Sequence, residues 1–205
     1  MKFFTHLFLS FFCLLSHCLW AQQEVRDNAT GATFPSEVTF EYDGKEFYLM
    51  ATGVATRKKF FIKVYSIVHY LEKGVEGAGN DIFQEIMRDD IAKQLTLKWV
   101  RDVPAQRVQE GYHESFQAAL SGNELDQLHN DINRYIQLFN QNVQKGDIHV
   151  LRWLPGGIIE VFINGNRVGN ISGQDFARGL WSIWLGNKSV VNRNNLVSKY
   201  TSFMR

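Results

Sequence analysis

The chain has 205 residues, 22 Lys plus Arg against 21 Asp plus Glu, 45% apolar residues and only 3 Pro. That composition belongs to one folded domain and excludes intrinsic disorder, collagen-like repeats and a multi-domain assembly. The charge balance excludes the basic footprint a nucleic-acid binder uses to displace counterions, and it offers no polybasic membrane anchor.

Residues 1–21, MKFFTHLFLSFFCLLSHCLWA, hold one Lys, no acid and a mostly apolar run from Leu7 to Trp20 that ends in the small Ala21. This reads as a secretory signal peptide followed by a single domain over 22–205, so the expected location is secreted, in a bacterium the periplasm. Removal would take Cys13, Cys18 and Lys2 with it. The remainder then carries 21 basic and 21 acidic side chains and no cysteine, hence no disulfide, thiolate nucleophile or cysteine-ligated metal. Leu15-Ser16-His17-Cys18 also resembles a lipobox, which would lipidate Cys18, but His17 is bulky where processing wants a small residue. An integral span is not expected, because the apolar run is about 14 residues and a crossing helix needs about 20.

Beyond a polar leader, Gln22 to Thr33, the pattern predicts strands. Val38 to Tyr42 alternates, Asp43-Gly44 makes a hairpin turn, and Glu46 to Ala51 resumes extended structure. Arg57-Lys58-Lys59 breaks the apolar pattern before a long aromatic and β-branched strand, Phe60 to Leu71. Gly74 to Gly79 is a loop. Asp81 caps a short helix, Ile82 to Arg88, and Lys93 to Val100 is a further strand. Pro104 sits at a first helical position, with Val108, Tyr112, Phe116 and Leu120 behind it at helical spacing, and Gly122 closes that helix. A second helix from Asn123 presents Leu125, Leu128, Ile132, Ile136 and Phe139 on one face. Strands follow at Ile148 to Leu154, Ile158 to Ile163 and, after the Asn164-Gly165 turn, Arg167 to Ile171. Gly173 to Leu185 is an amphipathic helix and Asn192 to Phe203 a closing one. Strands, helices, an antiparallel meander and helices again describe an α+β domain, a large antiparallel sheet covered on one side by helices. A ligand cavity fits at the boundary of the two layers.

Several segments, in order, carry a family resemblance: Gly53-Val54-Ala55-Thr56-Arg57, Lys59 to Tyr65, Tyr70-Leu71-Glu72, Val100-Arg101-Asp102-Val103, Lys145-Gly146-Asp147, Pro155-Gly156-Gly157, Val161 to Gly165, Asp175-Phe176-Ala177 and Ile183 to Gly186. Over about residues 36–200 they resemble the chalcone isomerase family, especially its bacterial chalcone isomerase-like members. The resemblance implies the chalcone isomerase-like open-faced β-sandwich. It also implies a choice of function, since plant members close a flavanone ring while related plastid proteins without that activity bind fatty acids. The isomerase's catalytic Arg resembles Arg57, a permanent cation able to stabilise an enolate or grip a carboxylate. Its active-site Thr aligns with Tyr65, as in the fatty-acid-binding branch. Its catalytic Tyr and Asn fall on Pro104 and Gly111, neither of which can orient a substrate hydroxyl.

The expectation is therefore a non-catalytic binder of a fatty acid or similar amphipathic carboxylate, with Arg57 and Tyr65 as ligand-binding residues, no confident catalytic residue and no cofactor. The alternatives are an isomerase or lyase acting on an enone or enol through the same two residues, and a scaffold without a small ligand. Arg57 and Tyr65 would lie about 26 Å apart in one unbroken strand, so any joint role requires a turn near Lys58-Lys59. Read alone, Arg57 is one of three solvated cations and Tyr65 a core aromatic. His69, His113, His129 and His149 lack metal-site spacing, so no metal is expected. Ser172 reads as a helix cap, Asp89-Asp90 as a solvated pair, and Trp181 and Trp184 as core.

Overall fold

The computed structural model describes residues 23–75 and 81–200. The signal-peptide and lipobox readings over 1–21, most of the Gly74 to Gly79 loop and the end of the closing helix lie outside them. The first strands are β1 (Glu24–Arg26), β2 (Thr33–Pro35), β3 (Glu37–Tyr42), β4 (Lys45–Lys59) and β5 (Ile62–Glu72). Then come α1 (Ile82–Ile86), β6 (Lys93–Trp99), α2 (Ala105–Ala119), α3 (Gly122–Gln137), β7 (Ile148–Leu154), β8 (Ile158–Ile163), β9 (Asn166–Ser172), α4 (Gln174–Leu185) and α5 (Arg193–Leu196). Strands β3 to β9 form one open antiparallel meander in chain order, and β1 pairs with β2 as a separate ribbon.

Two cores follow from the period-2 alternation of the strands. On one face, Tyr65, Ile67, Leu95, Leu97, Trp99, Leu151, Trp153, Ile159 and Val161 pack against Phe116, Tyr135, Phe176, Leu180, Trp181 and Trp184 of α2, α3 and α4. The sheet thus carries a helical layer on one side, the α+β architecture that the pattern predicts. On the other face, Phe47, Leu49, Val68 and Tyr70 meet Val25 and Phe34 of the β1–β2 ribbon.

The structure corrects several local readings. The polar leader holds β1 and runs into β2, and the apolar residues Val25 and Phe34 lie at the centres of these two strands. Lys58 and Lys59 continue β4, and the chain reverses at Phe60-Phe61, so β5 begins at Ile62. Gly122 opens α3 instead of closing α2, because Ser121 and Glu124 form a reciprocal capping box around it. Pro104 is the cap residue of α2 and lies outside it. Ser172 is the exposed end of β9 and caps nothing, since the cap position of α4 is Gly173 with no side-chain hydrogen bond. Among the described residues the closing segment begins at the Asn192 cap with one helical turn, α5, and continues into turn residues after Leu196. It is held against β4 where Thr52 Oγ1 donates to the Leu196 carbonyl at 2.6 Å. Gly53 permits that approach, because a Cβ there would stand 2.1 Å from the Asn195 carbonyl oxygen.

Candidate functional site

The β4–β5 hairpin sets Arg57 directly opposite Tyr65. The seven residues between them reverse direction at Phe60-Phe61, and facing positions on paired strands put side chains about 5 Å apart. The turn that any joint role requires therefore exists, one step beyond Lys58-Lys59. A register shift between Arg57 and Lys58 marks a bulge at the same place, the kind of irregularity that re-aims a side chain.

Both residues line a cavity of about 420 Å³ between the sheet and the helices. Its sheet wall includes Val64 and Trp99, and its helix wall Val108, Tyr112 and Trp184. The exposed lining residues that mark its mouth are Lys59, Phe60 and Ile62 of the hairpin with Arg101, Arg107 and Glu114. Volume and lining fit a small-molecule site, apolar walls with a few polar groups. Pro104 and Gly111, where the resemblance puts the isomerase's catalytic Tyr and Asn, also line it. The positions are at the site, but no hydroxyl or amide is offered there.

Arg57 is half-buried, and its Nη1 donates to the Val190 carbonyl at 2.7 Å. That bond uses one of its five N–H donors and fixes the side chain. Among the described residues no carboxylate forms an ion pair with it, whereas at the mouth Lys59 is paired with Glu114 and Arg107 with Glu110. Tyr65 is 8% exposed. Its hydroxyl oxygen accepts from Trp184 Nε1 at 2.9 Å, which leaves the phenolic hydrogen available to donate. Burial pushes the Tyr65 hydroxyl's pKa above its ordinary value, opposed by the Trp184 hydrogen bond and the Arg57 charge, so it stays neutral at physiological pH. The pair thus presents a cation beside a neutral donor, suited to an anionic oxygen.

The sequence alone assigned no site role to three further groups. Trp184 is core, as its helical stripe implies, and also orients Tyr65. Tyr112 and Trp99 line the cavity with a buried hydroxyl and a buried ring N–H that have no partner. The Tyr112 and Tyr135 rings lie 5.1 Å apart, and burial first of all pushes both hydroxyls' pKa values up. Buried polar atoms are seldom left unpaired, so such a group beside a cavity marks a place where a ligand or water is expected.

Elsewhere, no cluster of His, Cys, Asp or Glu suited to a metal ion occurs among the described residues. His69 and His149 are buried and separate, His69 Nδ1 lying 2.7 Å from Thr52 Oγ1. Asp89-Asp90 is not a solvated pair. Asp90 is exposed and bonded to Arg88, but Asp89 is half-buried against Arg178 with one oxygen unpartnered.

The profile of the chalcone isomerase-like family matches residues 26–194. Among solved structures, the crystal structure of an Arabidopsis thaliana fatty-acid binding protein superposes with a TM-score of 0.70 at 19% sequence identity, covering 88% of this chain and 98% of that one. No curated protein sequence gives a significant match. At 19% identity the structural likeness is one of fold.

Proposed function

Since the chain belongs to the chalcone isomerase-like family, we propose that it is a secreted, non-catalytic binder of a fatty acid or a similar amphipathic carboxylate. The observation that carries this reading is the half-buried Arg57 guanidinium, without a carboxylate partner among the described residues, at the wall of an apolar cavity. A half-buried guanidinium with free N–H donors beside apolar walls favours a carboxylate, which it can grip with two parallel bonds. Here the ligand's carboxylate is that anion, held by the Arg57 fork and the Tyr65 hydroxyl, and the aromatic walls take the apolar tail. Two features favour binding over chemistry. Pro104 and Gly111 supply no proton-transfer group at the wall, and the fold is shared with a protein described as binding fatty acids. Secretion follows from the N-terminal segment, with cleavage after Ala21 and release into the periplasm of a bacterium.

The test is native mass spectrometry with lipid extraction on protein purified from its own compartment. The expected result is a co-purifying fatty acid, absent from Arg57→Ala and weaker in Arg57→Lys, which keeps the charge but loses the two-pronged geometry. The same spectra report whether the chain begins at Gln22 or carries a lipid on Cys18. An empty wild-type protein that also takes up no fatty acid after delipidation and reloading refutes the binding reading. Turnover of an enone or enol by the wild type but not by Arg57→Ala replaces it with the isomerase or lyase reading.

A further inference from the structure

The β4–β5 hairpin ends in Phe60 and Phe61, which are 87% and 99% exposed, followed by Ile62 at 50%. They are the most exposed large apolar side chains among the described residues. The turn itself does not ask for them. A two-residue hairpin loop favours Gly, Asn or Asp, because one or both central residues need positive φ. Two other tight turns of the same sheet obey that rule, with Asp43-Gly44 at φ 49° and 71° and Asn164-Gly165 at φ 50° and 82°. At this tip Phe60 takes φ 55° with a bulky side chain, a conformation such residues rarely adopt. The sequence accepts unfavourable turn chemistry and exposes two aromatics, and neither choice benefits the fold.

Three lysines surround the tip. Lys58, Lys59 and Lys63 are all exposed. Lys59 is offset by Glu114 at 2.7 Å, and Lys63 donates to the Ala29 carbonyl without a carboxylate partner among the described residues. At the mouth Glu110 offsets Arg107, leaving Lys58, Lys63 and Arg101 against Asp102. The tip is therefore aromatic at its end and net positive around its base.

We propose that this tip docks on the interfacial layer of an anionic lipid membrane, Phe60 and Phe61 entering the headgroup region and the lysines meeting lipid phosphates. The chemistry is that of membrane-interface anchors, aromatic and aliphatic side chains below and basic side chains at headgroup level. Size decides against a protein partner. Two phenylalanines bury about 300–500 Å², below the roughly 600 Å² that each partner contributes to the smallest stable protein interfaces, but shallow insertion into lipid needs no matching surface. Because Lys59, Phe60 and Ile62 also edge the cavity, docking places its mouth against the bilayer. The docking rests on the tip alone; that the cavity exchanges its ligand with the bilayer rests on the binding reading above.

The test is co-sedimentation of the full chain with vesicles of phosphatidylcholine alone and of phosphatidylcholine mixed with phosphatidylglycerol. Only Phe60 of the pair has positive φ, so Phe60→Gly with Phe61→Asn installs the favoured turn chemistry, and this variant keeps the fold while losing the tip. Expected are binding to the mixed vesicles that weakens with added salt, a loss of at least about tenfold in the turn variant, and slowed hydrogen exchange over residues 58–63 on docking. Each lysine near an anionic surface is worth about fivefold in partitioning, so Lys58→Glu with Lys63→Glu should lose more than tenfold on mixed vesicles and little on neutral ones. Equal binding by the wild type and the turn variant overturns the proposal, as does a tip-dependent dimer in sedimentation velocity. Fatty-acid loading in vesicle-free buffer separates the two readings: an empty cavity with tip-dependent docking refutes only the ligand, and a loaded cavity without docking refutes only the tip.

Discussion

Asp27 shows how much one side chain can hold together. It lies between β1 and β2, and its carboxylate accepts from Thr56 Oγ1 at 2.6 Å, Ser66 Oγ at 2.6 Å, Thr30 Oγ1 at 3.1 Å and the Ala29 amide at 2.9 Å. The ribbon is thereby bonded to β4 and β5 one residue pair from the site, since Thr56 faces Ser66 next to Arg57 and Tyr65. Burial alone would raise the Asp27 pKa, but the hydrogen bonds from Ser66, Thr56, Ala29 and Thr30 together hold it below its ordinary value. A carboxyl depressed in the folded state stabilises fully above its unfolded pKa of about 3.9 and loses that contribution as pH falls toward the folded value. Asp27→Ala should cost about 3 kcal/mol at pH 7, read from urea midpoints, and should flatten the loss of stability below about pH 4; an unchanged acid limb would refute the role. Tyr65→Phe removes the acceptor of the buried Trp184 N–H. It should cost about 1–3 kcal/mol of stability and weaken ligand retention, and a variant as stable as the wild type with full ligand uptake would contradict both roles.

At the scale of elements, what was legible followed periodicity and turn chemistry. The strands Ile148–Leu154 and Ile158–Ile163 occur where alternation puts them, and Asp43-Gly44 and Asn164-Gly165 turn the chain as their φ preferences require. The β4–β5 turn was displaced because its residues contradict that chemistry: charged Lys58 and Lys59 look like the break, while aromatic Phe60 and Phe61 look like strand. The α2–α3 boundary was misplaced because Gly122 reads as a terminator, whereas Ser121-x-x-Glu124 was the local signal. Ser121→Ala should cost about 1 kcal/mol, measured as a lower thermal midpoint with the fold intact. The β1–β2 ribbon was illegible, since three-residue strands carry no period and Asp27 finds its partners 29 and 39 residues away. The site divided in the same way. Arg57 and Tyr65 were legible through the family resemblance, but the Val190 carbonyl and the Trp184 N–H that fix them arrive from 133 and 119 residues away, beyond any local pattern.

Over the whole molecule, the buried titratable groups give an unusual dependence of stability on pH. Lys93 has no exposed surface; its ammonium sits 3.6 Å from the Trp153 ring centroid and donates to the Arg88 carbonyl. Burial lowers its pKa to about 7, opposed by Asp89 and Asp90 and assisted by Arg88 and Arg178. Burial likewise lowers His69 to about 3, with the Lys93 charge adding to it, and His149 to about 4. In each case the fold favours the neutral form. The contribution is complete above the unfolded pKa and is lost as pH falls to the folded one, for Lys93 from about 10.4 down to about 7 and for the histidines from about 6.5 down to 3–4. The tyrosines act in the opposite direction. Burial raises Tyr65, Tyr70, Tyr112 and Tyr135, so their neutral forms stabilise the fold below about pH 10 and that contribution is lost above it. Stability should therefore rise from pH 7 to a maximum near pH 10, by a few kcal/mol and at no more than about 1.4 kcal/mol per pH unit for a single proton, where most proteins peak between about pH 5 and 8. Lys93→Met keeps the volume and removes the charge, so it should raise stability at pH 7 and flatten the limb between pH 7 and 10. Urea midpoints at unit pH intervals decide the matter: a wild-type midpoint that falls between pH 7 and 9, or a Lys93→Met protein with an unaltered limb, would show that Lys93 stays charged in its pocket and that the ammonium–Trp153 contact outweighs its burial.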